Sequence, residues 1–334
     1  MRGPTATLPL SSPRRPRWVH RLTQNTGLLL AALMLTTSLV LYCAVYYAAQ
    51  QRFPGGFELT STVNNTMPLV LASVAQTLIV LTRGIDLSVG GVIDLTNAMA
   101  SITLGESPAS MALWSVVILA VGALCGLLNG VLVAVGRLQP ILATLATLSI
   151  FQGLAIWLLP QPGGAVDPRY TAVFANSASP VSLVFVLLLA GLWSVFRRTR
   201  IGVGIYAIGN DEPSASANGI DVRRTKVIAY ILGGTCSAAA GLFLAANATA
   251  GDATTGNGYT LTSIVAVVLG GVSLFGGRGS AVGGMLGAFV TTMIVNVLFF
   301  AHIDPLYQAF YEGFFLIMAV LLVGGVGHYM RRAR

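Results

Sequence analysis

The chain has 334 residues, of which 9% are charged and 55% hydrophobic, and its mean hydropathy is +0.78. So little charge cannot cover a soluble domain of this length, and several apolar runs reach the roughly 20 residues that cross a bilayer as a helix. The net charge of +8 does not signal nucleic acid: the basic residues cluster at the two ends and in one middle segment, as loops retained on the cytoplasmic side do, and no groove-reading or base-stacking motif accompanies them.

Taken in order, residues 1–26 form a basic, proline-rich tail, followed by an apolar run from Gly27 to Ala49. That run is longer than the apolar core of a cleaved signal peptide and reads as an uncleaved first span. Ten spans are expected, at about 27–49, 64–82, 89–104, 112–135, 138–158, 180–196, 227–249, 260–275, 281–301 and 308–327. The third and eighth are short and rich in glycine, which suits tilted, broken or re-entrant segments. The fold class is therefore all-α and polytopic: a membrane domain over 27–327, a cytoplasmic loop at 197–226 and a basic cytoplasmic tail at 328–334. With the N-terminus inside, alternation leaves only Arg52 and Arg169 outside among the 19 Lys and Arg residues, as the excess of positive charge on the cytoplasmic side requires.

Small residues recur every fourth position at Gly122, Gly126 and Gly130, at Gly233, Ser237 and Gly241, and at Gly279, Gly283 and Gly287. Such stripes let helix backbones approach closely in lipid, so a compact bundle is expected. Cys43, Cys125 and Cys236 lie in apolar runs without paired spacing and read as small buried hydrophobes, not as a disulfide or metal set. The glycine-flanked loops Arg83–Ser88 and Gly276–Ser280 fall on one side of the membrane.

Asp86 is the first intramembrane carboxylate, and a charge there must be paired or satisfied. Gly84 ends one helix and the next begins near Leu87, which makes Asp86 an N-cap for the free N–H groups of the first turn. Arg83 reaches the inner head groups or Asp86. A role in substrate passage or gating, and a proton relay, are the other readings of Asp86. Asp94 follows on the same face. Asn97, Asn129, Thr144, Thr147, Gln152 and Asn296 are polar positions within apolar spans, and each reads as interhelical glue or as the lining of a polar path. Because amides and hydroxyls dominate, together they suit an uncharged polar solute better than an ion. Glu312 is the intramembrane carboxylate of the last span, with a pairing or gating role.

The middle loop contains a short helix, Glu212 to Ala217. Asp211 and Glu212 mark its start, Pro213 sits in its first turn, and Asn218-Gly219-Ile220 stops it. A capped, small-faced helix on a membrane surface suits docking to another protein; the plain alternative is a solvated loop helix. No catalytic set appears. His20, His302 and His328 lack metal spacing, and the glycine run from Gly271 to Arg278 lacks the Lys-Ser/Thr ending of a phosphate-binding loop. The chain therefore carries no visible energy source.

The stretches GIDLSVG (84–90), NGVLVAVGRLQPILATLATLSI (129–150), GIYAIGNDEPSASANGI (204–220) and GYTLTSIVAVVLGGVSLFGGRGS (258–280) resemble the permeases of bacterial ABC importers for monosaccharides of the ribose, xylose, arabinose and galactofuranose type. The resemblance covers residues 60 to 325. It implies a fold of ten helices per subunit, like the vitamin B12-type importers, in the inner membrane; the charge distribution puts both termini on the cytoplasmic side. The resemblance also implies a second permease subunit, identical or a sister, two cytoplasmic ATP-binding subunits and a periplasmic sugar-binding protein, with no cofactor. Asn210, Asp211, Glu212, Ala215 and Gly219 match the coupling helix of such permeases. Arg83 stands where Gly or Thr is common, and Pro213 with the serines replaces a Glu-Ala-Ala run. Sugar would pass between two permease subunits, with Asp86, Asn97, Asn129, Thr144, Gln152 and Glu312 as candidates for its path. A secondary transporter that needs no ATPase is the alternative, and it predicts coupling-ion acids that the sequence scarcely offers. An intramembrane enzyme lacks any nucleophile–base or metal set.

Overall fold

The computed structural model describes residues 26–105 and 107–304, with isolated positions from 307 to 321. Over those residues the chain is helical. The helices are α1 (Thr26–Gln50), α2 (Gly56–Val80), α3 (Val89–Thr103), α4 (Pro108–Gly130), α5 (Pro140–Leu158), α6 (Pro168–Phe174), α7 (Val181–Phe196), α8 (Arg200–Asn210), α9 (Glu212–Ala217), α10 (Val222–Ala248), α11 (Asn257–Leu269) and α12 (Ala281–Phe300). A π-helical turn, Val131–Val135, extends α4.

Among the described residues six helices, α1, α2, α4 with its extension, α5, α10 and α12, are long and apolar enough to cross a membrane. The pair α7 and α8, bent by 77°, makes a seventh if counted as one span. The two short segments have 15 residues (α3) and 13 residues (α11), about 20 Å each at 1.5 Å per residue. Neither reaches across the roughly 30 Å hydrocarbon layer. The tail 1–25 and most of the expected tenth span, Glu312 included, lie outside the described residues.

One boundary differs instructively from its expectation. Helix α2 begins at Gly56, not near residue 64, and is buried from Thr62 onward apart from Val63 and Asn65. Its first half carries Thr62, Asn64 and Thr66, which depress the hydropathy that marks a span. Those groups are satisfied internally. Thr66 donates to the Thr62 carbonyl at 2.7 Å, Asn64 Nδ2 donates to the Ala175 carbonyl at 2.9 Å, and Asn64 Oδ1 accepts from the Ser182 hydroxyl. Polar side chains here tie α2 to the segment 175–182 instead of marking a loop.

Helix α10 is the centre of the bundle, packed against α2, α3 and α4, and its glycines explain how. Gly122, Gly126 and Gly130 all lie against it. A Cβ added at Gly126 would stand 2.1 Å from the Tyr230 carbonyl oxygen, and one at Gly234 would stand 2.1 Å from the Gly122 carbonyl oxygen. The other faces of α10 use Gly233 against Ile79 of α2 and Gly241 against Ile93 and Thr96 of α3. In the third stripe Gly283 and Gly287 pack on Gly270 and Ala266 of α11, whereas Gly279 precedes α12 in a left-handed loop position (φ 123°). Two glycine stripes thus serve as helix contacts throughout, and the third does so from Gly283 onward.

The loops gather at two ends. At one end the Gly277 N–H donates to the Leu81 carbonyl at 3.0 Å, and the Tyr206 hydroxyl donates to the Gly279 carbonyl at 2.7 Å. At the other, Gly163 and Gly251 exchange two backbone hydrogen bonds of 2.9 and 2.8 Å, and the Asp167 N–H donates to the Leu104 carbonyl at 2.9 Å. Arg83, the middle loop and the 276–280 loop therefore share one end, and Arg169 belongs to the other.

Gly126→Val is expected to cost at least about 1–3 kcal/mol, because its new atoms meet backbone that cannot yield. Gly191→Ala, where an added Cβ meets nothing within 4 Å, is expected to stay within about 0.5 kcal/mol. Thermal melts of the two detergent-solubilised variants check this; equal melts would remove the packing argument.

Candidate functional site

The break between α2 and α3 is built from side chains. Val80 closes α2, and Arg83 takes a left-handed conformation (φ 66°) that turns the chain. The Asp86 carboxylate accepts from the Ser88 N–H at 2.8 Å and from the Ser88 hydroxyl at 2.6 Å. Ser88, not Asp86, occupies the cap of α3, since its carbonyl takes the first helical bond, from the Val92 N–H. The cap thus lies two residues later than expected, and the Asp86 carboxylate fixes the turn that delivers it.

From Ser88 the bonding runs on. Asn129 Nδ2 donates to the Ser88 hydroxyl at 2.7 Å, and the Thr147 hydroxyl donates to Asn129 Oδ1 at 2.7 Å. The Leu87 N–H donates to the Thr144 hydroxyl at 3.0 Å, which in turn donates to the Pro140 carbonyl at 2.9 Å. Asp86, Ser88, Asn129, Thr144 and Thr147 are all buried, the most accessible being Asp86 at 4%. Three separate apolar stretches, the break, α4 and α5, thus converge on one polar chain.

Arg83 does not reach Asp86. Its Nε donates to the Gly209 carbonyl at 2.9 Å and the Phe275 carbonyl at 3.2 Å, and its Nη2 donates to the Asn210 carbonyl at 2.5 Å. Asn97 sits apart from the break: its Oδ1 accepts from the Asp252 N–H at 2.7 Å, in the loop group at the other end. Asp94 Oδ1 accepts from the Gly256 N–H at 2.5 Å, and Asn296 Nδ2 donates to the Thr62 hydroxyl at 3.3 Å. Gln152 is half-buried on α5 and outside the Asp86 network. Gln76 escaped the sequence reading. It is fully buried in α2 with neither amide atom partnered among the described residues. Helix geometry places it between Ile79, which faces α10, and Thr77, which faces Gly284 of α12.

The middle loop holds two helices where one was expected. α8 precedes α9, and Asp211 ends the first and caps the second, its carboxylate accepting from the Ser214 N–H at 3.2 Å and from the Ser214 hydroxyl. The hydroxyl bond chiefly, then the N–H bond, holds the Asp211 carboxyl below its ordinary range. Gly219 follows at φ 82°, the left-handed stop that glycine adopts without strain. Glu212 pairs with Lys226 at 2.7 Å, and Ala215 is buried at 4%. Ala215 therefore fastens α9 to its own chain and is not on its outer face. Asp211, Pro213, Ser214, Ser216, Ala217, Asn218 and Gly219 are the exposed positions.

Residues 59–324 match the family described as the permease component of branched-chain amino acid transport systems. The chain belongs to this permease family. It is 33% identical to the ribose import permease protein RbsC of Escherichia coli (strain K12), covering 87% of this chain and 94% of that protein. It is 35% identical to the ribose import permease protein of Bacillus subtilis (strain 168), over 75% and 80% of the two chains. The autoinducer 2 import system permease protein LsrC of Enterobacter sp. (strain 638) is 34% identical over 77% and 76%. No solved structure is significantly similar. The permease is thus a membrane translocation component and not an enzyme.

For the permease, the Asp86 chain is a measurable object. Ser88→Ala and Asn129→Ala each remove one end of a buried 2.7 Å bond. Their double-mutant cycle is expected to show a coupling of roughly 0.6 kcal/mol, the average for hydrogen bonds between membrane helices, and no more than about 1.7 kcal/mol, the largest found. Additive melts within error would mean that the two side chains do not act together.

Proposed function

We propose that this permease is the membrane subunit of an ATP-driven ABC importer. A periplasmic binding protein delivers a monosaccharide, which the permease passes into the cytoplasm, and two separate subunits hydrolyse ATP. The observation that carries the reading is the capped, outward-facing α9 in a chain of the import-permease family that has no phosphate-binding loop of its own. Its exposed surface is small and polar, and its ends are fixed by Asp211 and Gly219. Such a surface suits insertion into a groove on an ATP-binding subunit. Sugar as cargo follows from the ribose import relatives, with the autoinducer 2 import relatives as the nearby class.

The finer architecture belongs to the same proposal: ten helices in the manner of the vitamin B12-type importers, both termini cytoplasmic, and a second permease subunit, identical or sister. Helix α5 supports a second subunit. It presents Ala146, Ser149 and Gly153, spaced by three and four residues, on an exposed face between Leu142, Ile150 and Trp157. Half-buried Gln152 flanks that row. Small residues there admit another helix at close range, and a polar solute passing between subunits would meet Ser149 and Gln152. Asp86, Asn97, Asn129 and Thr144 spend their bonds inside the chain and serve as interhelical ties on this reading. Gln152 and Glu312 remain as candidates for the path.

The test is made in vesicles holding the permease, its ATP-binding subunits and its binding protein, with radiolabelled ribose as probe. Ser216→Trp and Ala217→Trp, on the exposed face of α9, are expected to lower co-purification of the ATP-binding subunits and ribose uptake at least 10-fold, with membrane insertion intact. Uptake driven by an ion gradient through the permease alone would establish the secondary-transporter reading instead.

A further inference from the structure

We infer that Arg83 is a positioning residue that carries movement of the α9 helix into the α2–α3 break. The inference rests on the proposed docking of ATP-binding subunits on α9. The guanidinium bonds to the carbonyls of Gly209 and Asn210, the last two residues of α8, and to the carbonyl of Phe275 in the 270–280 loop. The α8 carbonyls lie at the negative end of a helix and lack intrahelical partners, so a forked cation is the group that fits them. The next residue after them is Asp211, the cap of α9. Arg83 therefore grips the chain one residue before the cap of the docking helix.

The grip is backed by backbone. A Cβ on Gly209 would lie 1.8 Å from the Leu81 carbonyl oxygen and 2.3 Å from the Gly277 nitrogen, so the three segments touch without side chains between them. The Gly277 N–H donates to that Leu81 carbonyl at 3.0 Å, and Asn210 Nδ2 donates to the Gly277 carbonyl at 3.4 Å. On its other side Arg83 is held in the end of α2, its own N–H donating to the Val80 carbonyl at 2.9 Å. Three residues later Asp86 begins the chain through Ser88 and Asn129 to Thr147. Every link from α9 to α5 is a peptide bond or a hydrogen bond. A displacement of α9 is thus delivered to the break, where two helix ends can change their relation.

Lysine at this position keeps the charge but not the planar fork that spans two segments, so it should transmit in part. Alanine removes the fork and leaves only the Gly209–Leu81 backbone contact, so it should transmit least, while the exposed face of α9 is unaltered.

The test uses the full permease with its ATP-binding subunits in proteoliposomes. The three native cysteines are replaced by serine, and Leu87→Cys, half-buried on the break, reports by its rate of maleimide labelling with and without ATP plus vanadate. With Arg83 present, nucleotide is expected to change the labelling rate at least threefold. In Arg83→Ala the change is expected to fall to less than half of its size while the subunits still co-purify within twofold, and Arg83→Lys is expected to fall between. Arg83→Gln, which keeps one donor group and most of the reach, replaces Arg83→Ala if that variant does not accumulate. A full nucleotide response in the alanine or glutamine variant overturns the inference alone. Loss of the subunits in step with the response also overturns it, since Arg83 would then only shape the docking surface. Failure of the Arg83 protein itself to retain the subunits overturns the docking reading, and the inference with it.

Discussion

A helix that stops in apolar surroundings strands up to four carbonyls at its end, and the next helix strands up to four N–H groups at its start. The permease contains such an interruption between α2 and α3, and its surroundings follow from meeting that requirement. The Leu81 carbonyl is taken by Gly277, the Leu87 N–H by Thr144, and the Ser88 N–H by Asp86. Each acceptor or donor comes from a different part of the chain or from the turn itself. Satisfying one break therefore fixes the placement of α4, α5 and the 270–280 loop around it. The cost of leaving any of these groups unpaired, several kcal/mol each in hydrocarbon, makes the arrangement specific.

Close approach of backbones is the second condition. In lipid no hydrophobic gain drives helix against helix, so van der Waals contact at short range must serve. Helix α10 achieves it on three sides, with Gly234 on α4, Gly233 on α2 and Gly241 on α3. The same helix carries Lys226 at its start, paired with Glu212 of α9. The packed centre of the bundle and the surface helix are thus joined by an ion pair as well as by chain.

How much of this was legible depended on whether the signal was local. The apolar runs marked the helices, and Asp211, Pro213 and Gly219 marked α9 to the residue, because caps and stops act within a turn of the positions they mark. The start of α2 was missed because Thr62, Asn64 and Thr66 read as polar until their partners at 175 and 182 are known. α8 was missed for a related reason: its buried face alternates Gly202, Gly204, Ile205 and Ile208, a pattern with little apolar bulk. The grouping of Asp86 with Asn129 and Thr147 spans 43 and 61 residues of chain and has no local sign at all. Arg83 reads as reaching head groups or Asp86, because an arginine at a membrane edge ordinarily serves there and Asp86 is the nearest carboxylate; its partners are instead carbonyls 126, 127 and 192 residues away.

These two kinds of contact divide the permease into parts that can and cannot yield. Glycine contacts against backbone, such as Gly126 on Tyr230, have no slack, because no side chain lies between to change rotamer. Hydrogen-bonded turns have slack, because a carboxylate or an amide can exchange one partner for another at little cost. The break from Arg83 to Ser88 is of the second kind and lies between helices of the first, whereas Leu81, just before it, meets the Gly209 backbone directly. Force applied at one end of such a molecule does not spread evenly: it passes through the glycine-packed core as rigid-body motion and is absorbed where side chains hold the chain. The break, the α8–α9 junction and the 270–280 loop meet at the Gly209 backbone contact, so the side-chain-held turn at 83–88 adjoins a fixed point, at the end that carries the outward-facing surface helix.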